Sequence, residues 1–98
     1  MNRMNFAEEM RGLALQKHIS DKKISDKVAK ETFERCKSII KHTALNGGMS
    51  ILINIEHDYY EENVSKESVF RSLGAVLMEN GFNATKVGNL TYEVSWDV

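Results

Sequence analysis

From Phe6 onward the apolar positions recur at helical spacing: Phe6, Met10, Leu13 and Ala14 fall on one face. Asn5 with Glu8 has the form of a helix start, a side-chain acceptor at the cap and a carboxylate reaching back. The segment "HISDKKISDKV" is more polar, and Ser20 or Ser25 offers a second cap there. From Val28 the periodicity returns. Ala29, Phe33, Cys36, Ile40 and Ala44 share a face, flanked by Val28, Thr32, Ile39 and Thr43, which predicts helix to about residue 45.

The pattern leaves open whether residues 6 to 45 form one helix or two. One helix of that length measures about 60 Å at about 1.5 Å per residue, more than a domain of this size spans. Either the chain bends near residues 19 to 25, or its first part leaves the domain and packs on another copy. Phe6, Met10 and Leu13 are the residues such a contact would use. A homo-oligomer is expected, with residues 1–24 as a helical extension and 25–98 as the core of a single domain.

Asn46, Gly47 and Gly48 follow the last helical position, where a left-handed residue commonly ends a helix. The period then becomes two: Ile51, Ile53 and Ile55 alternate with Leu52, Asn54 and Glu56, which predicts a strand. Because a strand follows the glycines, the corner does not read as a phosphate loop, which opens a helix. "HDYYEEN" reads as a polar loop. Ser65 caps the next helix, stapled by Val64 and Val69, with Val69, Phe70, Leu73, Val76 and Leu77 on its buried face. Gly74 costs that helix about 1 kcal/mol relative to alanine, so another element is expected to approach closely there. Gly81 ends the helix and Phe82 folds back.

"FNATKVGNLTYEVSWDV" predicts a hairpin turning on Gly88-Asn89, with Val87 opposite Leu90, Thr85 opposite Tyr92 and Asn83 opposite Val94. Leu90, Tyr92, Val94 and Trp96 then share a face. The expected fold class is α+β: a long N-terminal helical region, then β-α-β-β, with a three-stranded mixed sheet of order 1-3-2 packed on helices. The final strand lies between the other two, antiparallel to both.

Composition narrows the classes. The 98 residues hold 42% hydrophobic side chains and no proline, enough for one core. Cys36, the single cysteine, excludes an internal disulfide and suits a reducing compartment. Two glutamates interrupt the stretch where a signal peptide would be apolar, and no run reaches the roughly 18 residues of a membrane span, so no membrane association is expected. The sequons at Asn63, Asn83 and Asn89 carry no weight without export.

Net charge is −1, but unevenly distributed: residues 1–45 carry ten Lys and Arg against six Asp and Glu, residues 46–98 three against eight. Lys23, Lys27, Lys30, Lys37 and Lys41 form a stripe at 4-3-7-4 spacing, interrupted by Glu34. One account is a solvated face laced with i,i+4 pairs. The other is a phosphate-binding ridge completed by a stacking ring from Tyr59, Tyr60 or Trp96. The negative overall charge disfavours duplex DNA.

His57, Asp58, Glu61 and Glu62 cluster in one loop, yet no histidines stand at the helical spacing of a zinc motif, so no metal or cofactor is expected. Cys36 lies on the apolar stripe and no serine stands in a nucleophile elbow, so enzymatic activity is not expected.

The segments "AKETFERCKSIIKHTALNGGMSILINI", "LMENGFNAT" and "LTYEVSW" resemble a diffuse class of small proteins encoded by tailed bacteriophages: a helix, a glycine corner, a strand, a helix ending in "GF" and a terminal strand ending in "SW". The resemblance covers about the last 70 residues. It implies an accessory protein of the host cytoplasm that binds an enzyme, a defence protein or a signalling nucleotide of the host. An oligomeric anti-defence protein that sequesters a cyclic nucleotide uses lysines for phosphate and aromatic rings for bases. The alternatives are a protein inhibitor acting through Asp58, Glu61 and Glu62, which would mimic phosphate charge, and a small virion or assembly component.

Overall fold

The computed structural model describes residues 6–60 and 63–97. Elements follow in the order α1 (Phe6–Leu45), β1 (Ser50–Asn54), α2 (Lys66–Glu79), β2 (Asn83–Gly88) and β3 (Thr91–Ser95). The strands form one sheet of order β1-β3-β2, so the last strand is central. Both pairings are antiparallel. The sheet is therefore antiparallel throughout and not mixed: its outer strands run the same way but never pair.

α1 is one unbroken helix of 40 residues, and the molecule extends 67 Å along its longest axis. Ser20 and Ser25 lie inside the helix, so no second helix starts at either; the Asn5 cap lies outside the described residues. The polar stretch around residue 20 thus lowers amphipathicity without breaking the helix, since it contains neither proline nor glycine. Residues 6–17 are exposed throughout, and packing begins at Ile24 and Ser25.

Both helices end in the same way. At the end of α1, Gly48 N–H donates to Thr43 O at 2.9 Å and Gly47 N–H to Ala44 O at 3.0 Å, with Gly47 at φ 87°. At the end of α2, Phe82 N–H donates to Leu77 O and Gly81 N–H to Met78 O, both at 3.0 Å, with Gly81 at φ 86°. These are paired six-to-one and five-to-two closures, which require a left-handed residue that glycine supplies without steric cost. The corner at Gly47-Gly48 is a helix stop.

The core joins Val28, Ala29, Phe33 and Ile40 of α1 with Ile53 and Ile55, the α2 face of Val69, Phe70, Leu73, Val76 and Leu77, and Leu90 and Val94. Ser65 caps α2, its hydroxyl accepting from Ser68 N–H at 3.1 Å. Gly74 has the close neighbour its position demanded. A β-carbon there would overlap the phenol oxygen of Tyr92, whose ring stacks on Phe70 at 3.9 Å and whose hydroxyl donates to Phe70 O at 3.0 Å. Two residues of the predicted apolar face of α1, Ala44 and Ile39, are exposed instead.

The hairpin register differs from expectation. Asn83 pairs with Ser95, Ala84 with Val94, Thr85 with Glu93 and Lys86 with Tyr92, and then the register shifts so that Gly88 faces Thr91. Val87 is the extra residue of a bulge, and the turn residues are Asn89 and Leu90. Leu90 takes φ 50°, a region costing a side-chain-bearing residue roughly 1 kcal/mol. Burial of Leu90 offsets that cost, and its carbonyl accepts Ile55 N–H at 3.0 Å.

Candidate functional site

Lys23, Lys27, Lys30, Lys37 and Lys41 are all exposed on α1, on the flank turned away from the buried Ser25, Ala29, Thr32 and Phe33. Helical spacing keeps them in one line because no break interrupts α1. The ridge is partly neutralised within itself. Lys37 Nζ lies 2.8 Å from Glu34 Oε1 and 5.3 Å from the centre of the Phe33 ring, and Lys27 Nζ lies 4.0 Å from Glu31. Exposed pairs of this kind contribute about 0.2–1 kcal/mol and exchange readily with a competing anion.

The three aromatic candidates do not converge. Tyr59 and Tyr60 follow the C-terminal end of β1, and Tyr59 is 84% exposed, a ring free on the surface. Trp96 lies beyond the opposite end of that strand, where its backbone N–H donates to Met49 O at 3.0 Å. It meets Phe82 edge-on at 6.2 Å between ring centres and packs on the core. Trp96 and Tyr59 thus stand beyond opposite ends of β1.

The loop after β1 is tied to α1 through a polar chain. Tyr60 O–H donates to Asp58 Oδ2 at 3.4 Å, and that oxygen lies 3.8 Å from Arg35 Nη2. Arg35 Nη2 in turn donates to Thr32 Oγ1 at 3.2 Å, and Thr32 Oγ1 donates to Val28 O at 2.9 Å. Asp58 is thus engaged internally; Glu61 and Glu62 lie outside the described residues. Burial, then the charge of Asp58, pushes the Tyr60 phenol up to about 12.

The folded state therefore holds the Tyr60 proton where the unfolded chain, with a phenol near 10, releases it. This contribution is complete below about pH 10 and is lost as pH rises towards about 12. Tyr60→Phe is expected to reduce the loss of stability across that window and to remove the highest-titrating phenol in an ultraviolet pH titration. Loss of the amplitude near pH 10 instead would show that the ring is solvated.

Burial also raises the Cys36 thiol, with Asp58 adding to the shift and Arg35 opposing it, so at neutral pH this sulfur is protonated and poorly nucleophilic. Among the described residues, no group of three or more His, Cys, Asp and Glu is placed to hold a metal ion. Nor, among them, is any helix long and apolar enough to cross a membrane.

Among the concavities that flank α1, two differ in their lining. One, of about 460 Å³, lies between α1 and α2, lined by Asp21, Lys22, Ser25, Asp26, Arg71 and Ser72. Ser72 Oγ donates to Asp26 Oδ1 there at 2.9 Å, and the buried Ser25 hydroxyl has no hydrogen-bond partner. The other, of about 220 Å³, runs between α1 and β1 and includes Cys36, Ile39, Ile51 and Ile53. Sequence reasoning missed both. The uncharged run "SILIN" was the available signal for the second; the first depends on how α2 crosses α1, which no local pattern encodes.

At the far end of α1, Phe6, Met10 and Leu13 are 74%, 41% and 59% exposed. They form an apolar line on the part of α1, residues 6–17, that is exposed throughout. No protein-family model, curated protein or solved structure matches this chain.

Proposed function

We propose that the protein is a non-enzymatic binding protein that works as an oligomer and sequesters an anionic ligand, with a cyclic-nucleotide immune signal as the ligand class that the phage-like resemblance implies. The observation that carries this reading is the continuity of α1. Its basic flank and its apolar arm both face outward on one rigid rod, and neither serves the core.

An arm of this length is marginal as an isolated helix in water, because nucleation is costly and propagation gains little per residue. A partner helix supplies what the chain does not. Phe6, Met10 and Leu13 follow the 4-3 spacing of a two-helix seam. In an antiparallel pair centred on Leu13, Glu9 of each helix would stand opposite Lys17 of the other, so a second copy is matched in charge there.

Because Trp96 and Tyr59 stand at opposite ends of β1, the ligand site of this reading is composite. The ridge of one subunit provides the phosphate contacts and a ring of another the stacking. The protein-inhibitor alternative has less support, since the Asp58 carboxylate is held by Arg35 and Tyr60.

The test incubates the purified protein with cyclic mono-, di- and trinucleotides and ADP-ribose derivatives, filters it, and heats the retained fraction. Release of one intact nucleotide, lost on Lys30→Glu with Lys37→Glu, supports sequestration. A chemically altered product overturns the non-enzymatic reading, and an empty filter overturns the nucleotide. For the arm, Met10→Glu with Leu13→Glu is expected to lower the sedimenting mass without changing the head's unfolding midpoint. An unchanged mass would show that the arm does not assemble.

A further inference from the structure

We propose that the open edge of β1 is a second assembly surface, on which β1 of another copy pairs antiparallel about a two-fold axis at Leu52. The result is one continuous sheet built from two three-stranded halves. This surface is separate from the helical arm and does not depend on it.

The hydrogen-bond register fixes which groups are free. Trp96 N–H to Met49 O and Ile55 N–H to Leu90 O, each at 3.0 Å, bracket the β1-β3 ladder. In an antiparallel ladder hydrogen-bonded residues alternate, so Met49, Ile51, Ile53 and Ile55 turn their backbone groups to β3. The N–H and C=O groups of Ser50, Leu52 and Asn54 then face the open edge. All three residues are exposed.

The two edges of the sheet are protected very differently. β2 carries a bulge at Val87 and a lysine at position 86, both of which discourage strand addition. β1 reads Ser-Ile-Leu-Ile-Asn, with no charge, no proline and no bulge. Beside it runs the groove of about 220 Å³ under α1. Leu52 and Ile39 are 67% and 57% exposed, large apolar surface flanking unpaired backbone.

A second β1 satisfies this edge in full. With Leu52 opposite the partner's Leu52, Ser50 falls opposite the partner's Asn54 and every outward N–H and C=O finds its complement. The same register sets Glu56 beside the partner's Gly48, next to the helix end that carries Lys41 and His42. No like charges oppose across this register, the strand being uncharged and Glu56 facing a glycine, so a second copy pairs without electrostatic cost, where a charged strand would not.

The test uses the full chain with Cys36→Ser as background. Residues in a hydrogen-bonded antiparallel pair lie about 5.5 Å apart at Cα, within disulfide range. Leu52→Cys is therefore expected to give a disulfide-linked dimer under mild oxidation, while Thr85→Cys on the guarded edge stays reduced. Independently, Leu52→Lys is expected to weaken self-association at least tenfold in sedimentation equilibrium. A Leu52→Cys protein that remains reduced, or a sedimenting mass that Leu52→Lys leaves unchanged, overturns the proposal. Combining Leu52→Cys with Met10→Glu and Leu13→Glu separates the two surfaces: an arm that no longer assembles leaves the position-52 disulfide intact.

Discussion

Gly74→Ala is expected to destabilise the protein by about 1–3 kcal/mol, although alanine is the better helix former by about 1 kcal/mol. The position is in the interior of α2, where a propensity argument alone predicts a gain. Packing decides otherwise. The new methyl group would overlap the Tyr92 oxygen, and Tyr92 Cζ would stand 3.0 Å away. The tyrosine has little freedom to retreat, being stacked on Phe70 with an interplanar angle of 10° and hydrogen-bonded to Phe70 O. Moving it forfeits a hydrogen bond of about 1 kcal/mol together with ring contact. Tyr92→Phe removes the overlapping atom, so the alanine penalty is expected to shrink by at least half in that background. Urea titration of the four species provides the coupling energy. A stabilising Gly74→Ala would mean that β3 yields easily beneath α2.

Leu77→Ala carries the largest expected loss, about 2–5 kcal/mol. Leu77 is fully buried between α2 and the sheet, and truncation leaves a cavity that the surrounding elements cannot fill by small shifts. Its carbonyl still closes the helix end through Phe82 N–H, so the effect comes from the side chain and not from the cap. Against a total stability of about 5–15 kcal/mol, the variant loses a large share. Fluorescence of Trp96, the chain's single tryptophan, reports the unfolding. Leu13→Ala in the arm is the control and is expected to shift the head's midpoint by less than about 0.5 kcal/mol. Equal effects at the two positions would sink the division into head and arm.

The sequence made the element order, both glycine stops, the Ser65 cap and the buried face of α2 legible, because each depends on local backbone chemistry. The central place of β3 followed from short connections and antiparallel pairing. The hairpin register did not, since Gly88-Asn89 is a good turn pair in isolation. The observed turn at Asn89-Leu90 exists only because Leu90 has a core to enter. Ile39 shows the same limit: its apolar character placed it inward, whereas the groove beside β1 leaves it exposed. The candidate ligand residues were read as one set from their chemistry. Their separation across the length of β1 is a property of the assembled sheet, beyond the reach of spacing.

The central strand of the sheet is also the last of the five elements in chain order. During synthesis β1 is made before β3 and has no strand partner within the chain until residues 91–95 leave the ribosome, because both outer strands pair with β3. The nascent chain therefore carries an uncharged, isoleucine-rich strand unpaired along both edges while residues 55–90 are added. Sheet formation becomes a single late event, gated by the arrival of β3, and polysomes crowd the unprotected strands of neighbouring nascent chains together in the interval.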